Sequence, residues 1–117
     1  MINRRVRSLL HLACTKAEVS LVRKSLHCAI VFDDRYNVMS IGVNEGSVHA
    51  EDRAIDMVGK RKNGNLSILV VRVCKTTGEM KMSKPCACCA QTIRRSGISS
   101  VYYSAGDGRF ESYSVNQ

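Results

Sequence analysis

The sequence has no long hydrophobic run, no internal repeat and no low-complexity segment. A membrane-spanning helix needs about 20 consecutive apolar residues, and no stretch of this chain approaches that length. Arginines at positions 4, 5 and 7 lead into no apolar segment of the kind that a secretory signal contains. We therefore expect a cytoplasmic protein without a membrane anchor.

Acidic residues and proline are scarce. Ten acidic residues stand against 18 lysines and arginines, so the net charge is +8, and the lone proline is Pro85. Such a charge suits a polyanionic or phosphorylated partner, although many small basic proteins have none, so a nucleic-acid partner is one alternative. The 117 residues, 44% of them hydrophobic, are typical of one globular domain, which we expect to span residues 1–117.

Six cysteines without an export signal favour reduced thiols and a metal site over a disulfide framework. Three of them lie among apolar neighbours, which favours burial as small hydrophobic residues. These three are Cys14, Cys28 and Cys74. Cys88 could compete for a metal, but Cys86 and Cys89 at a helix start are spaced to converge on one ion, whereas Cys88 points away.

Hydrophobic spacing predicts a helix followed by an antiparallel hairpin. Residues 4–24 place apolar side chains along one helical face. Residues 26–32 and 38–43 are apolar runs separated by a short polar turn, which indicates two antiparallel strands. His11 and His27 have no nearby cysteine or acid at ligand spacing, so we interpret them as structural or surface histidines.

The second half of the chain alternates helices and strands. One helix follows His49, residues 66–73 form a continuous apolar strand suited to the sheet centre, and a second helix follows Pro85. Strands are predicted over residues 98–104 and 109–115, and the short turn between them permits only antiparallel pairing. The predicted fold is therefore a three-layer α/β/α sandwich with a mixed sheet whose last two strands are antiparallel.

Two short motifs, HAE and PCACC, together offer a metal site. His49, Cys86 and Cys89 supply three ligands, which is the number that a catalytic zinc site uses while keeping its fourth position for water. Glu51 lies two residues from the histidine, so its carboxylate can stand beside the ion without binding it and move protons. The two motifs predict a Zn²⁺ site with Glu51 as the catalytic acid and base.

The HAE and PCACC motifs resemble those of the cytidine deaminase superfamily. The resemblance extends to HCAIV at residues 27–31, IGVN at residues 41–44 and GISSVYYS at residues 97–104, and so covers nearly all of the chain. It implies the cytidine deaminase-like fold, a Zn²⁺ cofactor, and hydrolysis of a cyclic amidine that converts cytosine to uracil and ammonia.

The same resemblance implies roles for particular residues. His49, Cys86 and Cys89 would bind zinc, and Glu51 would be the proton shuttle. The residues expected to contact substrate are Asn44, Ala50, Ser83, Lys84 and Tyr103. Two points stay open, because Asn44 is also a common turn former and because either Tyr102 or Tyr103 could face the base from a strand.

Features of several subfamilies are combined in this chain. The P-C-x-x-C-x-Q pattern and the antiparallel last strands resemble free-nucleoside deaminases, although Ala90 replaces their usual arginine. The HAE triplet resembles deoxycytidylate and tRNA adenosine deaminases, and the short loop at residues 44–49 would leave an open pocket.

We expect a free substrate: cytidine, deoxycytidine or their monophosphates. One alternative is deamination of cytosine or adenine in single-stranded DNA or RNA, which the basic charge favours. Another is a non-catalytic, zinc-stabilised binding protein of the same fold. The resemblance also implies a homo-oligomer, a tetramer or a dimer, because deaminases of this fold usually build their pockets between subunits.

Overall fold

The computed structural model describes Ser8 and residues 25–43, 49–58, 65–74, 80–106 and 109–115. The predicted N-terminal helix, residues 4–24, lies outside these residues apart from the helical Ser8. Within the described part, no helix is long and apolar enough to cross a membrane.

Six strands and two helices form the described part of the fold. The strands are β1 (Ser25–Phe32), β2 (Val38–Val43), β3 (Leu66–Cys74), β4 (Met80–Lys81), β5 (Ile98–Gly106) and β6 (Arg109–Ser114). The helices are α1 (Ala50–Val58) and α2 (Ala87–Ser96). The observed strand bounds lie within two residues of the predicted ones, except that β4 was not predicted.

The strands form one mixed sheet in the order β2-β1-β3-β5-β6, and β4 pairs with β3 beside this path. β1 is antiparallel to both β2 and β3, whereas β3 and β5 are parallel. β5 and β6 pair antiparallel, as predicted. The apolar run of β3 therefore occupies the sheet centre.

Both faces of the sheet are buried. One face packs against the helices, and Ala29, Val31 and Val70 join Ala50 and Ala54 of α1 in a single hydrophobic cluster. Side chains alternate along a strand, and five side chains of β1 and β3 that point to the other face are also at most 1% exposed. They are Cys28, Ile30, Phe32, Leu69 and Val71. A sheet covered on both faces is the middle layer of a sandwich, which confirms the predicted fold class.

Helix α1 lies directly on β2. A Cβ atom added to Gly42 would lie 2.5 Å from the Ala50 carbonyl oxygen and 2.6 Å from the Ala54 nitrogen. The buried hydroxyl of Ser40 donates a hydrogen bond to the Ala54 carbonyl oxygen at 2.6 Å. These contacts fix the position of α1, and with it the residues at its start.

The turn between β1 and β2 is closed by one carboxylate. Asp33 Oδ1 accepts hydrogen bonds from the backbone N–H groups of Arg35 and Asn37, both at 2.9 Å. Tyr36, between them, has a φ of 66°, which is uncommon for a residue with a side chain. The carboxylate therefore stabilises a turn that contains an unfavourable backbone conformation.

Replacing Asp33 with alanine should lower the melting temperature at neutral pH, because the hydrogen bond from the Asn37 backbone, above all, lowers the pKa of the Asp33 carboxyl. A lowered pKa in the folded state means that the stabilisation is present above the unfolded value of about 3.9. It is lost as the pH falls through the folded value. The difference in melting temperature between Asp33→Ala and the parent chain should therefore shrink below about pH 4. The control is Asp34→Ala in the same turn, and a difference that is independent of pH would contradict the assignment.

Candidate functional site

The candidate metal ligands stand at the starts of two helices. His49 directly precedes α1, and its carbonyl oxygen accepts a hydrogen bond from the Arg53 N–H at 3.2 Å. Cys86 is the N-cap of α2, and its carbonyl oxygen accepts from the Ala90 N–H at 2.8 Å. The Cys86 side chain makes no capping hydrogen bond, so its thiol is available for another partner.

His49, Cys86 and Cys89 come together although about a third of the chain separates the histidine from the two cysteines. One ligand atom of each lies within 4.8 Å of the others, and His49 Nδ1 is 3.1 Å from Cys89 Sγ. Ligands bound to one zinc ion at 2.0–2.3 Å lie about 3.6 Å apart in a tetrahedron. The three side chains therefore already have nearly the spacing of a zinc site.

Glu51 lies beside this cluster and is only 4% exposed. Its Oε1 is buried, and no group in the described residues shares a hydrogen bond with it. Burial raises the pKa of the Glu51 carboxyl, while its own backbone N–H and His49 act in the opposite direction. Burying a carboxylate oxygen without a partner is costly, so this atom is suited to a partner supplied by a bound ion, water or substrate.

The buried thiol of Cys89 can act as a metal ligand only once it is deprotonated. Burial, followed by the charge of Glu51, raises the pKa of the Cys89 thiol far above its ordinary value. A neutral thiol is a poor ligand, and a divalent ion supplies the positive charge that deprotonates it. The donor set of one nitrogen and two sulfurs is one that zinc prefers.

The sequence matches one protein family over residues 3–105, and this family is described as the cytidine and deoxycytidylate deaminase zinc-binding region. The chain belongs to this deaminase family. A search among curated proteins gives no match. The family assignment therefore rests on the long match together with the fold.

Solved cytidine deaminases have the same fold as this deaminase-family chain. The enzyme from Burkholderia pseudomallei is 20% identical, with a TM-score of 0.68 over 97% of this chain and 94% of that one. The enzyme from Mycobacterium leprae is 19% identical, with a TM-score of 0.64 over 94% of each chain. These likenesses confirm the cytidine deaminase-like sandwich.

The family match and the geometry agree on Zn²⁺ as the cofactor. The matched region is a zinc-binding one, and the described residues contain one group of three candidate ligands, His49, Cys86 and Cys89. Cys88 is exposed and stands outside this group. Cys28 is fully buried, as expected, whereas Cys14 and the side chain of Cys74 lie outside the described residues.

Replacing Cys89 with serine should abolish tight zinc binding, whereas Cys88→Ser should retain stoichiometric zinc. Losing an outer-shell partner of a metal site costs about 10- to 100-fold in affinity, so losing a ligand should cost more than about 100-fold. Both variants change one sulfur to oxygen at neighbouring positions, which makes them a matched pair. Metal content after gel filtration against a chelator measures the difference, and loss of zinc in Cys88→Ser would be evidence against the ligand set.

The predicted substrate contacts occupy different surroundings. Ala50 is fully buried at the start of α1, and Asn44 lies outside the described residues. Lys84 is exposed, with its Nζ 5.8 Å from the centre of the Tyr113 ring. Ser83 is 6% exposed, and among the described residues its hydroxyl forms hydrogen bonds with the Val70 carbonyl oxygen and with Ser104. Substrate contact by these residues stays a prediction.

The two adjacent tyrosines point to opposite faces of the sheet. Tyr103 belongs to the hydrophobic cluster under the helices, and its hydroxyl donates a hydrogen bond to Glu111 at 3.1 Å. The ring of Tyr102 lies on the other face, 5.9 Å from the ring of Phe32. Tyr103 is therefore the tyrosine on the face that carries the metal ligands.

Two further side chains lie near the site: His27, which we interpreted from the sequence as a structural or surface histidine, and Tyr113, to which the sequence analysis assigned no role. His27 is half-buried directly opposite Arg72, and burial, then Arg72, then His49 lower its pKa. Burial raises the pKa of Tyr113, and the charge of Glu51 adds to this effect. Alternation of side chains along a strand could have indicated to which face of the sheet His27 and Tyr113 point. Their distance from the site depends on how β1 and β6 pair with the other strands.

Proposed function

We propose that this protein catalyses the zinc-dependent hydrolytic deamination of cytosine in a free nucleoside or nucleotide, giving a uracil product and ammonia. The observation that carries the proposal is the buried Glu51 carboxylate, whose Oε1 has no partner among the described residues, beside a three-ligand metal site. Three protein ligands leave one position of a tetrahedral ion for water. A carboxylate beside that water can transfer the protons of a hydrolytic reaction.

Each residue of the site would have a distinct task. His49, Cys86 and Cys89 would hold the ion, which when bound increases the acidity of a coordinated water. Glu51 would accept one proton of the attacking water at Oε1 and deliver it to the pyrimidine ring nitrogen. It would then take the remaining hydroxyl proton and deliver it to the amine, which leaves as ammonia while the carbonyl forms. The backbone N–H of Ala50, in the first turn of α1, has no partner within the helix and could orient a polar group of the substrate.

The family and the last two strands of the sheet support the proposed substrate. The matched family is named for cytidine and deoxycytidylate, and the similar structures are those of cytidine deaminases. β5 and β6 form a hairpin, as in the free-nucleoside enzymes that the sequence resembles. Exposed Lys84 lies two residues before Cys86 and could contact the phosphate of a nucleotide.

We also propose that the active form is a homo-oligomer, a tetramer or a dimer. His49 and Cys86 are exposed in the single chain, whereas catalytic sites of this kind exclude bulk water. A neighbouring subunit would supply the missing wall of the pocket. Light scattering of the zinc-loaded protein measures the assembly.

Ammonia release by the zinc-loaded protein tests the function. The substrates are cytidine, deoxycytidine, their monophosphates, adenosine and single-stranded oligonucleotides. Turnover of a free pyrimidine nucleoside or nucleotide is the expected result. Turnover of oligonucleotides alone would assign the reaction to nucleic acid, and inactivity on every substrate would leave a zinc-stabilised binding protein.

A further inference from the structure

The central strand β3 changes its partner close to the metal site. β5 pairs with β3 as far as Val70, which lies opposite Tyr103. Beyond that point β4 takes over the same edge, with Arg72 opposite Lys81. Backbone groups at such a fork lose their ladder partners, and buried groups need replacements.

Ser83 supplies the replacement on one side of the fork. Its hydroxyl donates a hydrogen bond to the Val70 carbonyl oxygen at 2.7 Å and accepts one from the Ser104 N–H at 2.9 Å. The backbone N–H of Ser83 also donates to the Ser104 carbonyl oxygen at 2.8 Å. The hydroxyl therefore bridges β3 and β5 where a direct ladder bond is missing.

The hydroxyl of Ser104 joins β3 to β4 in the same way. Its hydroxyl donates to the Lys81 carbonyl oxygen at 2.6 Å and accepts from the Arg72 N–H at 3.3 Å. The Oγ atoms of Ser83 and Ser104 are 2.7 Å apart, so that either hydroxyl can donate to the other in place of its carbonyl acceptor. The two residues are 6% and 0% exposed. The pair joins β3, β4 and β5 at one buried point.

This point lies immediately before the metal-binding segment. Only Lys84 and Pro85 separate Ser83 from Cys86, the N-cap of α2. Pro85 is buried, and its ring restricts the backbone. The segment is thus held at Ser83 on one side and by α2 on the other, which leaves little freedom for Cys86.

We propose that Ser83 and Ser104 are positioning residues, a buried hydroxyl pair that holds the start of α2 so that Cys86 and Cys89 face His49 before the metal binds. Ser83 then acts through the backbone of the sheet rather than by contact with substrate. The proposal concerns the zinc site, and only its kinetic consequence rests on the proposed deaminase function.

The test compares Ser83→Ala with Ser99→Ala. Ser99 is a matched control because its hydroxyl also joins β5 to β3, donating to the Leu66 carbonyl oxygen at 3.1 Å at the far end of the pair. Ser83→Ala should release zinc to a chelator about 10-fold faster, within the 10- to 100-fold range of outer-shell losses. Ser99→Ala should leave the release rate unchanged.

Two further measurements separate positioning from general destabilisation. In the metal-free protein, the amides of Lys84 and Cys86 should exchange hydrogen faster in Ser83→Ala than in Ser99→Ala. Adding Ser104→Ala to Ser83→Ala should increase zinc release by less than the product of the single effects, because the two hydroxyls contact each other.

Several outcomes would overturn the proposal. Equal rates of zinc release from Ser83→Ala and Ser99→Ala would show that the Ser83–Ser104 pair has no specific effect on the metal site. A higher KM for a pyrimidine substrate with unchanged zinc release would make Ser83 a substrate contact instead. Zinc release and hydrogen exchange need no turnover, so a protein without deaminase activity would still test the proposal.

Discussion

Glu51→Gln is expected to lower kcat for deamination by about 10²- to 10⁴-fold, which is the contribution of a well-placed general acid and base. The amide keeps the size of the side chain but cannot take up and return a proton. Zinc should stay bound, because Glu51 is not among the proposed ligands, which are His49, Cys86 and Cys89. The folded state should be at least as stable as that of the parent chain, since the variant removes a buried carboxylate.

Asp52→Asn is the control for Glu51→Gln. It makes the same chemical change at the next residue, whose side chain is more exposed, and it should leave kcat within about twofold, which is well below the general acid–base range. Steady-state kinetics, zinc content and a thermal melt of both variants complete the experiment. Substantial activity in Glu51→Gln would remove this residue from the reaction.

Gly42→Ala is expected to destabilise the fold by about 3 kcal/mol, at the upper end of the range for overpacked positions. The new methyl group would meet backbone atoms of α1, at Ala50 and Ala54, and backbone cannot rotate away as a flexible side chain can. In a domain of this size the melting temperature should fall by about 10 °C. Because α1 starts at the metal site, the displaced helix should also weaken zinc binding.

Gly97→Ala separates this steric effect from backbone strain. Gly97 ends α2 with a φ of 89°, and a Cβ atom there would meet nothing within 4 Å. The expected cost is only the strain of a left-handed residue, about 1 kcal/mol. Thermal denaturation compares the two variants, and equal losses would show that the β2–α1 contact at Gly42 has no special importance.

The sequence was sufficient to predict the elements whose signal is local. Continuous apolar residues predicted the central strand from Leu66, and Pro85 predicted the start of α2, which begins at Ala87. The short HAE and PCACC motifs predicted the three ligands that the fold brings together. Each of these predictions depends on a few neighbouring residues.

Other features depended on pairings that no local pattern reveals. β4 has only two residues, Met80 and Lys81, and its existence depends on the free edge of β3. The resemblance implied that Ser83 contacts substrate, whereas the structure surrounds its hydroxyl with Val70 and Ser104. Alternation predicted that Tyr102 and Tyr103 point apart, but only the pairing of β5 with β3 decides which one faces the helices.

The position of the ligands on two separate helices has a consequence for folding kinetics. The β1–β2 hairpin is local and can form within microseconds, whereas the parallel pairing of β3 with β5 must wait for the intervening α2. His49 and Cys86 meet only after both helices have docked, so zinc binds a nearly native chain. An interaction that forms after the folding transition state slows unfolding without accelerating folding. Bound zinc should therefore lower the unfolding rate of this chain and leave its folding rate unchanged.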